Sequence, residues 1–420
     1  MVGELIHQVL IQLERDKKST NFIKKEISPT SSRKKHYNMK KKLENFIKRD
    51  FSVIDKLNQI EELITLKDFP IFMGCTEQEI SQDLFFDMKW GIDSKTGIIQ
   101  LMNLVPLEIL YKEQHMDATG STWDRYNDAL ANYIVQHNDS INVLEIGGGS
   151  GSLARKIKNV DNSISYTIVE PNPIIDDREI KVIDTFFDEN ISNDNDQTQT
   201  VVLSQVLEHA YYPFEFLNTI YNYLPLGGKF IFGYPNLEYF FKNKFTNAIN
   251  FEHTLLMTDY YLDFILKKSS FKIIDKTNFE NHSIFYSVEK TEVDYQEISI
   301  ENRYDYYKKM FVNFVDHHKK LIKNLNDKIE IHKGPIYLFG AHIFSQYLMA
   351  FGLKIDNVVN ILDNSKLKQG KRLYGTDLFV KSPKCLKNVD SPLVILKAGP
   401  YNDEIKKDIL ENINSNTKFI

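Results

Sequence analysis

Val143-Leu144-Glu145-Ile146-Gly147-Gly148-Gly149-Ser150-Gly151 is the stretch on which the reading of this sequence turns. Its first half is a short apolar run, as in a buried strand. Its second half is rich in glycine, which suits a sharp turn from strand into helix where a ligand approaches the backbone closely. Ser152 to Lys158 then reads as a helix, and Tyr166 to Val169, Lys181 to Ile183, Thr200 to Leu203 and Lys229 to Phe232 read as further strands. Residues 190–199 form a polar loop, and Phe214 to Leu224 a helix closed by Pro225-Leu226-Gly227-Gly228. Strands alternating with helices at this spacing predict an α/β fold with a Rossmann-like parallel sheet. The glycine turn alone does not name its ligand, because dinucleotide and phosphate sites use similar turns; Ala154 stands, as a permitted substitute, where a dinucleotide site wants its third glycine.

The residues around the turn narrow the choice. Glu145 precedes it beside Gly147, Gly149 and Gly151, and the second strand ends in Glu170, where a carboxylate can accept two ribose hydroxyls. Asp184, Phe186 and Phe187 follow the third strand, where an aromatic face can cover adenine; Glu170 also reads as a surface acid, and the paired phenylalanines as core. Ser204 and Gln205 follow the fourth strand. After the fifth comes Asn250-Phe251-Glu252-His253-Thr254. Imidazole titrates near neutrality and an adjacent carboxylate can orient it, so Glu252 and His253 suit proton abstraction, although such a pair also occurs at ordinary helix starts.

Working outward, 420 residues predict two or three domains. A formal net charge of -5 argues against bulk nucleic-acid binding. No apolar run approaches the roughly 20 residues that span a bilayer, and Glu4 and His7 interrupt the N-terminal apolar stretch, so no signal peptide is expected. With Cys75 and Cys385 the only cysteines, neither a disulfide framework nor a four-cysteine zinc site is expected. The expectation is a soluble cytoplasmic protein. Leu5 to Leu13 has helical spacing; Lys17 to Arg49 is strongly basic and reads as a solvated linker or surface helix. Thr122-Trp123-Asp124-Arg125-Tyr126 leads into a helix ending near His137, and a long helix runs from beyond Arg303 to about Ile331. A second α/β unit follows: Pro335-Ile336-Tyr337-Leu338-Phe339-Gly340-Ala341, Val358 to Leu362 ending in Asp363-Asn364, and Leu393 to Leu396. The expected boundaries are a basic extension at 1–60, a small substrate-side domain at 61–138, a cofactor domain at 139–300 and a C-terminal α/β domain at 301–420.

Val-Leu-Glu-Ile-Gly-Gly-Gly-Ser-Gly, Val169-Glu170-Pro171-Asn172 and Ser204-Gln205-Val206-Leu207-Glu208-His209 resemble motifs of class I S-adenosylmethionine-dependent methyltransferases. From about Leu63 onward the sequence is similar to the sugar C-methyltransferase family, through Phe251-Glu252-His253, Leu338-Phe339-Gly340-Ala341, the run from Ile361 to Lys371, Tyr374-Gly375-Thr376 and Ser382-Pro383. The resemblance implies S-adenosylmethionine as cofactor and methylation of carbon next to the ketone of a nucleotide-linked keto-deoxysugar. It makes His253 the base, Glu252 its partner and His209 an assisting group; His209 also reads as an ordinary histidine at a helix start. Three departures matter. The family's N-terminal zinc cysteines are reduced here to Cys75, so no metal is expected. Its Tyr-x-Tyr-x-Ser segment corresponds to Tyr111–Ser121, with His115 in place of one tyrosine, and Asn250 replaces a polar aromatic before the Glu-His pair. An O- or N-methyltransferase of the same build, acting on another small molecule, is the alternative. A catalytically idle scaffold is the third reading, and the intact glycine turn and Glu170 argue against it.

Overall fold

The glycine-terminated run folds as β1 (Asn142–Ile146), an interior strand of a seven-stranded sheet in the computed structural model. The structure describes residues 41–57, 60–111, 121–193, 197–293 and 298–420; the expected opening helix at Leu5–Leu13 and His115 lie outside the described residues. β2 (Ser165–Val169), β3 (Ile180–Ile183), β4 (Thr200–Ser204) and β5 (Lys229–Pro235) lie parallel to β1. An antiparallel pair, β6 (Phe271–Phe279) and β7 (Ser283–Lys290), completes the order β3-β2-β1-β4-β5-β7-β6. The interior strands are almost wholly apolar because both faces are covered, whereas β6, at the edge, alternates. Val202 and Ile231 point to the face covered by α1 (Ser121–His137) and α2 (Ser152–Val160); Val201, Leu203, Phe230 and Phe232 point to the face covered by α3 (Pro213–Tyr223) and α4 (Asp259–Lys268). Strand order reverses between β1 and β4, which opens a crevice at their carboxyl ends.

A second sheet is built around the long antiparallel pair Ile60–Pro70 and Leu84–Asp93, which residue spacing does not mark. Ile99–Leu101 extends it, and its next strand, Leu255–Leu256, comes from far along the sequence. This pairing draws the loop holding Glu252 and His253 against the N-terminal sheet. The reading of the basic segment as a solvated linker fails at its end. Arg49 is fully buried and Val53 and Ile54 join the core, because the backbone there passes beneath the loops that follow β4 and precede Leu255.

The helix α5 (Tyr304–Ile331) leads to the third sheet: β8 (Ile336–Phe339), β9 (Val358–Leu362), β10 (Val380–Lys381), β11 (Leu393–Leu396) and β12 (Lys418–Phe419), all parallel, in the order β10-β9-β8-β11-β12. α6 (Ile343–Ala350) follows β8. Arg372–Leu373 pairs with Cys75–Thr76, and the Arg372 guanidinium holds both oxygens of buried Asp83 at 2.6 Å. The residues from 41 onward thus belong to one compact unit.

Arg372→Ala leaves Asp83 buried without its cation and is expected to cost about 3–5 kcal/mol in urea unfolding. Replacing the pair together, as Arg372→Met with Asp83→Leu, is expected to recover most of that loss.

Candidate active site

The turn after β1 needs glycine for its backbone. Gly147, Gly149 and Gly151 have φ of +76°, +51° and +74°, and a Cβ on Gly148 would come within 2.6 Å of Ile168 Cγ2. Glu170, at the end of β2, accepts hydrogen bonds from the backbone N–H of Gly149 (3.2 Å) and of Asn172 (3.0 Å). A cavity of 1180 Å³ opens here, lined by Glu145, Gly147, Gly149, Glu170, Phe186, Ser204 and Gln205 among others. The expected cofactor residues Gly151 and Asp184 are not on its wall: Gly151 caps α2, and beyond β3 it is Phe186, Phe187, Asp188 and Glu189 that line the cavity. Glu145 lies buried beneath the turn.

Gln205 takes φ of +55°, a conformation that a side-chain-bearing residue adopts at a cost. It is held there by its amide, which donates to Tyr126 Oη and Ser283 Oγ, both at 3.1 Å. Gly233 in β5 makes the arrangement possible, since a Cβ there would collide with Tyr126 Oη.

The same cavity reaches Glu208, His209, Asn250, Glu252 and His253. Glu208 and His209 sit on a single helical turn, Leu207–His209, just after β4. Asn250 Oδ1 accepts from the backbone N–H of both Glu252 (2.7 Å) and His253 (2.6 Å) and so fixes the loop. The His209 and His253 rings lie 5.1 Å apart between centroids, and Tyr111 Oη is 2.7 Å from His209 Nδ1. The carboxyl grouped with the two imidazoles is that of Glu208: one ligand atom from each of the three lies within 4.8 Å of the others. Glu252, expected as the partner of His253, raises the Tyr111 and Tyr211 hydroxyls by its charge, after burial as the main cause. Burial pushes the Glu208 carboxyl up to about 8 and the His253 imidazole down to about 4, the latter opposed in part by a hydrogen bond to the backbone of Asn247. Both groups are therefore neutral at pH 7. The cavity also touches Met73, in the loop after Ile60–Pro70, and His342 and Ile343, at the start of α6.

A family model described as a methyltransferase domain matches residues 120–280. The protein contains an S-adenosylmethionine-dependent methyltransferase domain. Its sheet has the class I order, and the glycine turn with Glu170 facing the cavity fits a ribose-bearing cofactor. Among solved structures, a putative S-adenosylmethionine-dependent methyltransferase from Listeria monocytogenes is 14% identical; the match spans 40% of this protein and 100% of that one, with a TM-score of 0.32. One from Mesorhizobium loti is 13% identical, with 39% and 96% spanned and a TM-score of 0.32. The plantazolicin methyltransferase BpumL is 11% identical, with 41% and 84% spanned and a TM-score of 0.32. No curated protein matches the sequence.

Tyr126 and Gly233, which support Gln205 on the cavity wall, escape a reading of the sequence, and the roles that Tyr111, Glu208 and Asn250 take beside the histidines are not marked in it. A glycine inside an apolar strand is a usable signal for Gly233, because such glycines mark close approach. The others are ordinary residues until the loops converge.

Two outcomes are expected. A carboxyl raised from 4.5 to about 8 stabilises the fold fully below pH 4.5 and loses that contribution as pH rises through 8. Glu208→Gln is therefore expected to gain on the parent progressively between those values, by up to a few kcal/mol at pH 8, in urea titrations with chelator present. Asn250→Ala frees two backbone N–H groups and loosens His253; turnover is expected to fall about tenfold or more, while S-adenosylmethionine affinity by calorimetry changes little.

Proposed function

We propose that this protein methylates a ring carbon of a nucleotide-linked keto-deoxysugar, with His253 removing the proton on the carbon next to the ketone. The observation that carries this reading is the single cavity joining the glycine turn and Glu170 to His209, Glu252 and His253. Glu170 would hold the ribose of the cofactor, with Phe186 beside the adenine and Ser204 and Gln205 beside the methionine part. S-adenosylmethionine, when bound, supplies an electrophilic methyl group. Neutral His253 has a lone pair to accept a proton at pH 7, and its low affinity for that proton is raised once negative charge develops nearby. The electron pair of the broken C–H bond passes into the enolate, whose oxygen would find a donor in the His209–Tyr111 pair, one of whose two protons is used between them. The carbon would then bond to the methyl group as the methyl–sulfur bond breaks, its electron pair returning to sulfur. The contact of the cavity with His342 and Ile343 supports a role for the C-terminal sheet in holding the nucleotide end, with residues 61–138, 139–300 and 301–420 acting as three parts around one cleft.

Cells fed methionine with a deuterated methyl group, carrying either the parent protein or His253→Ala, test this reading. A nucleotide-sugar labelled on ring carbon and lost in the variant is the expected result. Label on oxygen or nitrogen would assign a different accepting atom, and nucleotide-sugars unchanged between the strains would end the sugar assignment.

A further inference from the structure

We propose that Glu208, His209 and His253 form a binding site for a divalent transition-metal ion of the zinc type. Two imidazoles and one carboxylate are a donor set that such ions favour. They come from two separate segments, the turn after β4 and the loop before Leu255, so no local backbone motif accounts for their convergence. One ligand atom from each lies within 4.8 Å of the others. An ion held at about 2.0–2.2 Å wants its ligand atoms about 3.4 Å apart, a contraction within reach of side-chain torsions.

The second observation is an excess of buried lone pairs. Glu208 is 1% exposed, and among the described residues its Oε2 has no hydrogen-bond partner. His253 Nδ1 is likewise buried with no partner among them. A buried polar atom left unmatched costs about 1–3 kcal/mol, so an ion that engages both residues would relieve that cost. The surroundings of both rings match what metal-bound histidines need. Tyr111 Oη lies 2.7 Å from His209 Nδ1, and the His253 ring hydrogen-bonds to the backbone of Asn247, so each ring is oriented from outside. Asn250 fixes the backbone at His253 itself. The cluster lines the cavity, so an ion has a path in and room for a water or substrate oxygen as a further ligand.

An ion seated there takes the lone pair that proton removal needs, so an occupied site is a closed one. That consequence rests on the function proposed above; the site itself does not, and its test reads binding alone. The full-length protein, stripped with chelator, is titrated with Co²⁺ and followed by its visible d–d absorption. Bands of a four- or five-coordinate ion saturating at one per protein molecule, and lost in both Glu208→Gln and His209→Gln, are expected. Absorption no different from aqueous Co²⁺, or bands that persist in both variants, would overturn the site. Because either variant can fail to fold, Zn²⁺ X-ray absorption on the unaltered protein provides a separate reading. Two imidazoles with oxygen in the first coordination sphere support the proposal; a sphere without two imidazoles rejects it.

Discussion

The Arg49 guanidinium sits where the segments of the candidate site meet, fully buried and without a carboxylate partner among its hydrogen bonds. Its N–H groups donate to the backbone carbonyls of Leu101 (3.1 and 2.8 Å), Tyr211 (2.7 Å) and Thr254 (2.7 Å). Tyr211 follows His209 by two residues, and Thr254 follows His253 by one. A single cation thus sets the spacing between the two loops whose histidines face each other. Burial pushes its pKa down to about 9, so it stays charged at neutral pH. Each hydrogen bond from a charged donor is worth about 1.5–3 kcal/mol, and together they offset the cost of removing the cation from water.

Around that clamp the site is built from groups whose protonation is set by burial more than by neighbours. Glu208 and His253 shift in opposite senses for the same reason: each charged form loses hydration. Asn250 then holds the His253 backbone from below and Tyr111 braces His209 from the side. On the cofactor side the constraint is steric. Glycine at 147, 148 and 149 and the strained Gln205 shape the turn and the strand end that face one another across the crevice.

Much of the central sheet was legible because its rules are local. A parallel strand covered on both faces is a continuous apolar run, and a strand that turns sharply into a helix needs glycine, so β1, β2, β4 and β5 and their helices could be placed within a residue or a few. The pairs Ile60–Pro70 with Leu84–Asp93 and β6 with β7 were not legible. Register shifts such as that between Glu62 and Ile64 blur the two-residue period of the first pair, and β7, buried along most of its length, has no such period to read. The basic segment misled for a related reason: a run of charge looks solvated, and nothing in the residues flanking Arg49 marks it as a cation that turns inward.

By itself the sequence determined the glycine turn, the acid at the end of β2, the parallel α/β order and the presence of a Glu-His pair after β5, since each depends on backbone sterics or on a few adjacent residues. Only the tertiary structure decided which carboxyl stands beside the histidines. Leu255–Leu256 joins the N-terminal sheet, Arg49 ties Thr254 to Tyr211, and the two loops meet with Glu208 inside the cluster. That convergence depends on hydrogen bonds between residues as many as 205 positions apart, and no short-range pattern encodes it.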